Sequence, residues 1–162
     1  MNNLIADLTG MDGRINRQRW WIGVIVLIII GIILSWILGL IFGTGFMMNP
    51  ALATDPAAVA AYIQRASWVG VITGIILAYP YVCLTVKRRH DRNNNGYDAM
   101  GLIALSILWN LATALGLVSP IGAIGSVIGL ILLIYAIYIL VVVGFLKGTA
   151  GANNYGPDPL QG

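Results

Sequence analysis

The sequence predicts an all-α membrane protein with four transmembrane helices and both termini in the cytoplasm. Of its 162 residues, 59% are hydrophobic and only 9% are charged, against roughly 25% charged residues in an ordinary soluble domain. The mean hydropathy is +0.86, and the apolar residues form four long runs that contain no charge. Lysine and arginine lie almost entirely at one end of these runs. We expect a single membrane domain over residues 1–162.

The first charge-free run covers residues 20–46. Its 27 residues exceed the roughly 20 that a helix needs to cross the hydrocarbon core of a bilayer. The apolar region of a cleaved signal peptide has only about 7 to 15 residues. We therefore expect this segment to stay in the protein as the first transmembrane helix.

Three further runs predict helices over residues 68–86, 100–118 and 121–145. Between the last two, the pair Ser119-Pro120 predicts a break, because proline lacks a backbone donor and disfavours helix in the residue before it. Asp55 followed by Pro56 is typical of a helix start, so the second helix is expected to begin well before its apolar run. The remaining segments are an N-terminal stretch 1–19, a loop 87–99 and a tail 146–162.

The positions of the basic residues predict the orientation. Eight of the nine lysines and arginines flank the runs on the side of the termini, and only Arg65 lies on the other side. Because basic residues beside short loops are retained in the cytoplasm, both termini and the central loop are expected there.

The composition also excludes several classes of function. A net charge of +3 is too small to indicate nucleic-acid binding. One cysteine, Cys83, and one histidine, His90, exclude an internal disulfide and the usual zinc sites, and no cofactor is expected. No ionisable side chain of the kind that coupled carriers use lies within the four runs.

Small residues recur at four-residue spacing within the runs, which is typical of close helix packing in membranes. Gly31, Ser35 and Gly39 form one such stripe, and Gly125 and Gly129 form another. Asn110 is the strongly polar residue nearest a run's midpoint, and an interhelical hydrogen bond is favoured over a transport site.

Three polar stretches are expected to meet in the cytoplasm. They are residues 13–21, 87–98 and 148–159. Within them, Asp91 is placed to accept charge-assisted hydrogen bonds from Arg14 or Arg17. The run Asn93-Asn94-Asn95-Gly96 is turn chemistry that reverses the chain into the third transmembrane helix.

These stretches resemble the motifs of the domain of unknown function 805 family of bacterial inner-membrane proteins. The family pattern has Gly-Arg-x-x-Arg, then Arg-Arg-Leu-His-Asp followed by Ser-Gly-Trp, and finally Asn-x-Tyr/Phe-Gly-Pro-Asp-Pro. The matching positions are Gly13, Arg14, Arg17, Arg88, His90, Asp91, Gly96, Asn153, Tyr155, Gly156, Pro157, Asp158 and Pro159. Lys87, Arg89, Asn95 and Tyr97 depart from the pattern. The resemblance implies a bacterial inner-membrane location and no particular activity.

Two interpretations of the polar stretches remain open. In the first, they form an internal network that closes the cytoplasmic end, with Asp91, Gly96, Asn153, Tyr155 and Asp158 as its structural residues. In the second, they bind an anion such as a lipid headgroup through Arg14, Arg17, Arg88, Arg89 and His90. A metal site at His90, Asp91 and Asp98 is disfavoured because the neighbouring arginines would repel a cation.

The function expected from these observations is non-enzymatic. The cytoplasmic face would bind membrane lipids with anionic headgroups, or a partner protein that is another membrane protein or a second copy of the chain. Nucleic acid is not an expected partner. The alternative is an uncoupled carrier or flippase for an amphiphilic anion.

Overall fold

The computed structural model describes residues 4–45, 52 and 54–161, which form five α-helices. They are α1 (Leu4–Thr9), α2 (Arg17–Phe42), α3 (Pro56–His90), α4 (Tyr97–Ala114) and α5 (Ala123–Leu140), and α5 continues into a π-helical turn (Val141–Phe145). Helices α2, α3, α4 and α5 with its π-helical turn are each long and apolar enough to cross a membrane. The predicted all-α fold with four transmembrane helices is confirmed.

The first transmembrane helix begins three residues earlier than predicted. Asn16 caps α2, since its side chain accepts a hydrogen bond from the backbone N–H of Arg19 at 2.9 Å. At the other end, Gly43 has a φ of 66° and terminates the helix. The predicted end at Phe46 lies outside the described residues. The short helix α1 precedes α2 and has no counterpart in the sequence prediction.

Helix α3 is much longer than its apolar run. It begins at Pro56, and the Asp55 side chain accepts a hydrogen bond from Ala57 N, as the Asp55-Pro56 pair predicts. It continues to His90, so Lys87, Arg88 and Arg89, which the sequence prediction assigned to the loop 87–99, lie in its last turn. The side chains of Lys87, Arg88 and Arg89 are buried there against internal acceptors, which is why the helix does not end where the charges begin.

The last two transmembrane helices are shorter than their apolar runs. Helix α4 ends at Ala114 rather than 118, because Gly116 adopts a left-handed φ of 73° that stops the helix. The predicted break at Ser119-Pro120 is present, and α5 starts at Ala123 rather than 121. The loop between α3 and α4 likewise turns at Gly96, where φ is 78°.

The tightest packing lies toward one end of the bundle. A core cluster of buried apolar residues joins Ile15, Trp20, Val24, Leu27, Leu84, Ala99, Ile139 and Val143. It adjoins the N-terminal segment, the α3–α4 loop and the tail, which meet at the same end of the bundle. We call this end, formed by residues 4–21, 87–98 and 143–161, the polar end.

Only one of the two stripes of small residues lies at a close contact between helices. On α2, a Cβ at Gly31 would lie 3.2 Å from Leu77, and the hydroxyl of Ser35 lies 3.4 Å from that of Thr73. The prediction that the stripe of Gly125 and Gly129 packs closely against another helix is wrong. Among the described residues, no atom apart from the backbone of its own helix lies within 4 Å of a Cβ at Gly129, and Gly125 faces the Ser119-Pro120 turn rather than another helix.

Candidate functional site at the polar end

Asp91 is the centre of the polar end. It follows the last residue of α3 and is buried. Its Oδ1 accepts hydrogen bonds from Nε and Nη2 of Arg14, at 3.1 and 3.0 Å, and its Oδ2 accepts one from Nη1 of Arg88. Burying a carboxylate is costly unless it is paired and hydrogen-bonded, and here two guanidinium groups supply both conditions. Of the two arginines expected to reach Asp91, Arg14 does so and Arg17 does not.

The guanidinium group of Arg14 is saturated with hydrogen bonds. Besides Asp91, its donors reach the carbonyl oxygens of Thr149 at 2.7 Å, Gly151 at 2.7 Å and Gly156 at 3.1 Å. A guanidinium carries five N–H donors, and these contacts use all of them. Arg14 therefore fastens the tail to the end of α3 and keeps no donor for an external ligand while the tail is bound.

The carbonyl groups at the end of the fourth transmembrane helix accept hydrogen bonds from side chains of α2, α3 and the α3–α4 loop. The last carbonyl groups of a helix have no partner within it, and the helix dipole makes this end negative. Five consecutive carbonyls accept side-chain hydrogen bonds: Val143 from Arg88, Gly144 from Trp21, Phe145 from Arg17, Leu146 from Arg88 and Lys147 from Arg92. Much of the positive charge at the polar end is thus used to hold this helix end.

Two more ion pairs attach neighbouring elements to the bundle. Asp7 of α1 is buried and accepts hydrogen bonds from Arg19, with distances of 2.6 to 2.9 Å, while the ammonium of Lys87 lies 4.0 Å away. Arg89 forms a two-pronged contact with Asp98 in the first turn of α4, at 3.0 and 2.5 Å. These pairs connect α1 to α2 and α3, and α3 to α4.

Residues 148–160 of the C-terminal segment lie across the α3–α4 loop, and we call this part the tail. The Asn153 side chain donates to the carbonyl of His90 at 2.9 Å, and the ring of Tyr155 stacks on that of His90 with centroids 3.9 Å apart. Nδ1 of His90 lies 3.2 Å from the carbonyl oxygen of Gly13. Asp158 accepts hydrogen bonds from the backbone N–H groups of Leu160 and Gly151, and these bonds lower the pKa of its carboxyl group.

At two positions of the polar end, neighbouring atoms lie so close to the backbone that only glycine fits. A Cβ at Gly148 would lie 2.0 Å from Oδ2 of Asp91, so the chain leaves the π-helical turn through a space with no room for a side chain. Gly96 combines its positive φ with a position 3.0 Å from the Val86 side chain.

A cleft of about 670 Å³ opens at the polar end between the start of α2, the π-helical turn and the tail. Arg17 and Lys147 line it, and both are exposed. Arg17 makes one hydrogen bond, and the ammonium of Lys147 makes no hydrogen bond or ion pair with any residue that the structure describes. Arg88, Asp91, Trp21 and Asp158 also line the cleft. Its most available charges are therefore two cations.

The five residues predicted to bind an anion lie in four different settings. Arg14 and Arg88 meet at Asp91, Arg89 pairs with Asp98, and His90 lies under Tyr155. Of the five, Arg17 is the exposed one. Sequence reasoning did not single out Lys147 or Trp21 as site residues, although each stands at the polar boundary of an apolar run.

A second cavity of about 600 Å³ opens on the outer surface of the membrane-spanning part between α2 and α3, where Ile32 and Trp36 are exposed. It is lined mainly by apolar and small residues, among them Gly31, Ser35 and Leu77. Neither this cavity nor the polar cleft includes Asn110. The side chain of Asn110 donates a hydrogen bond to Ser106 O in its own helix. The prediction of an interhelical hydrogen bond is therefore wrong. The Oδ1 atom of Asn110 nevertheless packs against Gly70 of α3.

Four apolar helices closed at one end by a network of arginines and aspartates define a multi-pass integral membrane protein. Residues 8–157 match the family described as Protein of unknown function (DUF805), and the chain belongs to this family. The resemblance inferred from the three motifs is thus confirmed. No curated protein and no solved structure matches the chain.

Proposed function

We propose that this protein is a non-enzymatic, multi-pass protein of the bacterial inner membrane that binds anionic lipid headgroups in the polar cleft. The observation that carries the proposal is the pair of exposed cations, Arg17 and Lys147, that line one cleft. A basic residue beside an anionic leaflet contributes about 1 kcal/mol to binding. Two of them on one concave surface favour a phosphate group over a neutral headgroup.

The surroundings of the cleft favour a lipid over a partner protein. Trp21 lines it and donates its indole N–H to Gly144 O at 3.1 Å. Tryptophan is enriched at the level of the headgroups, so the cleft is expected at that depth. The excess of basic residues at the polar end supports its placement in the cytoplasm, where the positive residues face an anionic leaflet.

A binding role is also favoured over catalysis and transport. The carboxylates of Asp7, Asp91 and Asp98 are each held by arginine, an arrangement suited to structure rather than to proton transfer. A carrier would need a polar path into the bilayer, and the polar cleft does not extend to Asn110. The carrier therefore has no specific observation in its favour.

Lipid retention tests the proposal. The protein is purified in mild detergent, and co-purifying phosphatidylglycerol, cardiolipin and phosphatidylethanolamine are quantified by mass spectrometry. The double variant Arg17→Gln/Lys147→Gln should retain anionic lipid roughly 30-fold more weakly, since two contributions of about 1 kcal/mol are removed. Arg17 is preferable to Arg88 for this test because Arg88 is buried and holds the fourth transmembrane helix.

Arg65→Gln is the control, because Arg65 is an exposed arginine far from the polar end in the sequence. It should leave the retention of anionic lipid unchanged. Full retention of anionic lipid by the double variant, or an equal loss in Arg65→Gln, would contradict the proposal. Arg17→Lys tests whether the shape of the guanidinium matters for lipid binding. It keeps the positive charge and removes the planar group that can donate two parallel hydrogen bonds to a phosphate.

A further inference from the structure

The tail forms one wall of the polar cleft. Five cleft residues belong to it, namely Gly148, Thr149, Ala150, Asp158 and Leu160. We propose that the tail competes with the anionic headgroup for this cleft, so that displacement of the tail regulates lipid binding. This inference rests on the proposed function and concerns the regulation of the same site.

The hydrogen bonds that attach the tail to Arg14 are weaker than those that a phosphate group would form. Three of its carbonyl oxygens, from Thr149, Gly151 and Gly156, accept hydrogen bonds from Arg14. These acceptors are neutral, whereas the oxygens of a phosphate are charged and form hydrogen bonds that are roughly twice as strong. Arg14 is buried and does not line the cleft while the tail is docked, and three of its donor contacts become open to a headgroup when the tail leaves.

The tail also places a negative charge in the cleft. Asp158 lines it, and its carboxylate is held in place by Gly151 N at 2.9 Å and Leu160 N at 3.0 Å. While it remains there, this carboxylate offsets the charge of Arg17 and Lys147 and repels a phosphate. The docked tail therefore corresponds to the state with lower affinity for an anion.

Release of the tail leaves the bundle closed. None of residues 148–160 is buried, and Leu160 is 76% exposed. The attachment of the tail thus depends on hydrogen bonds and the Tyr155 ring stack, which is typical of a segment that opens locally. The side-chain pairs of Asp91 with Arg14 and Arg88 contain no tail atom, so we expect them to remain when the tail leaves.

The first test compares two substitutions that each remove one negative charge. Asp158→Asn removes the carboxylate from the cleft, while Asp12→Asn removes an exposed carboxylate of the polar end that does not line it. Short-chain phosphatidylglycerol is titrated into the detergent-solubilised protein, and bound lipid is counted by native mass spectrometry. The Asp158→Asn variant should bind phosphatidylglycerol about fivefold more tightly than the wild type, because one negative charge near the phosphate is removed. The affinity of the Asp12→Asn variant should match that of the wild type.

The second test follows the tail itself by hydrogen exchange. The backbone N–H groups of Thr149 and Asn153 are hydrogen-bonded to Asp91 O and Gly156 O, at 2.8 and 3.0 Å, and should be protected in the docked state. Saturating short-chain phosphatidylglycerol should accelerate their exchange, while short-chain phosphatidylcholine should not.

The outcomes separate the two proposals. If phosphatidylglycerol binds but leaves the exchange of the tail unchanged, the competition is wrong and the lipid site stands. An equal gain in affinity for Asp158→Asn and Asp12→Asn also overturns the competition, because it reports net charge alone. If phosphatidylglycerol binds neither the wild type nor Asp158→Asn, the lipid-binding function fails as well.

Discussion

Arg14 and Asp91 lie 77 positions apart in the sequence, yet two guanidinium nitrogens of Arg14 bond one carboxylate oxygen of Asp91. Both residues are buried, and the other oxygen of Asp91 takes a bond from Arg88, which in turn holds the carbonyls of Val143 and Leu146. One carboxylate therefore links the segment before α2, the end of α3 and the end of the fourth transmembrane helix.

Removing this carboxylate is expected to destabilise the fold strongly. Asp91→Asn should lower the free energy of unfolding by about 3–5 kcal/mol, because it leaves two buried guanidinium groups without their counter-charge. The measurement is an SDS titration of the detergent-solubilised protein, followed by tryptophan fluorescence. Asp12→Asn is the control for the loss of an exposed acid and should have little effect.

A double-mutant cycle then tests the pairing itself. Arg14→Gln in the Asp91→Asn background should cost much less than Arg14→Gln alone, since their interaction is already lost. Arg17→Gln should cost the same in both backgrounds, because Arg17 bonds Phe145 O rather than Asp91. Strict additivity for Arg14 would show that the ion pair contributes nothing to stability.

Glycine at position 148 is expected to be essential for the docking of the tail. Gly148→Ala would place a methyl group 2.0 Å from Oδ2 of Asp91, so either the tail or the carboxylate must move. Crowding of this kind typically costs about 1–3 kcal/mol, and the SDS midpoint should fall accordingly. Gly129→Ala is the matched control, because within the part of the chain that the structure describes only the backbone of its own helix lies near the added methyl group. Equal midpoints for the two variants would contradict the close approach.

The orientation in the membrane can be measured by labelling. Single cysteines at Ala60 and Ala152, both exposed positions, are introduced in a Cys83→Ala background. In spheroplasts, an impermeant thiol reagent should label position 60, since the α2–α3 loop is expected outside, and should spare position 152 until the membrane is permeabilised. Labelling of position 152 alone before permeabilisation would reverse the predicted orientation and place the polar cleft outside the cell.

The sequence by itself determined the number of transmembrane helices and some of their ends. Hydrophobic length is a local property, and so are the signals at Asp55-Pro56 and Ser119-Pro120, which lie where the structure begins α3 and separates α4 from α5. The family motifs could also be read without any fold. The charges of the polar stretches pointed to Asp91 as the acceptor for Arg14 or Arg17, and the structure selects Arg14.

Only the tertiary structure decided which charges are paired and which remain available. Apolar residues occupy every face of the transmembrane helices, so no amphipathic stripe shows which face of a helix packs against its neighbours. The rotation of α2 determines that Arg17 reaches Phe145 O, and the continuation of α3 to His90 buries Arg88. Pairing between residues so distant in the chain depends on these rotations and crossings. For that reason the cleft between Arg17, Lys147 and the tail was visible only once the helices were assembled.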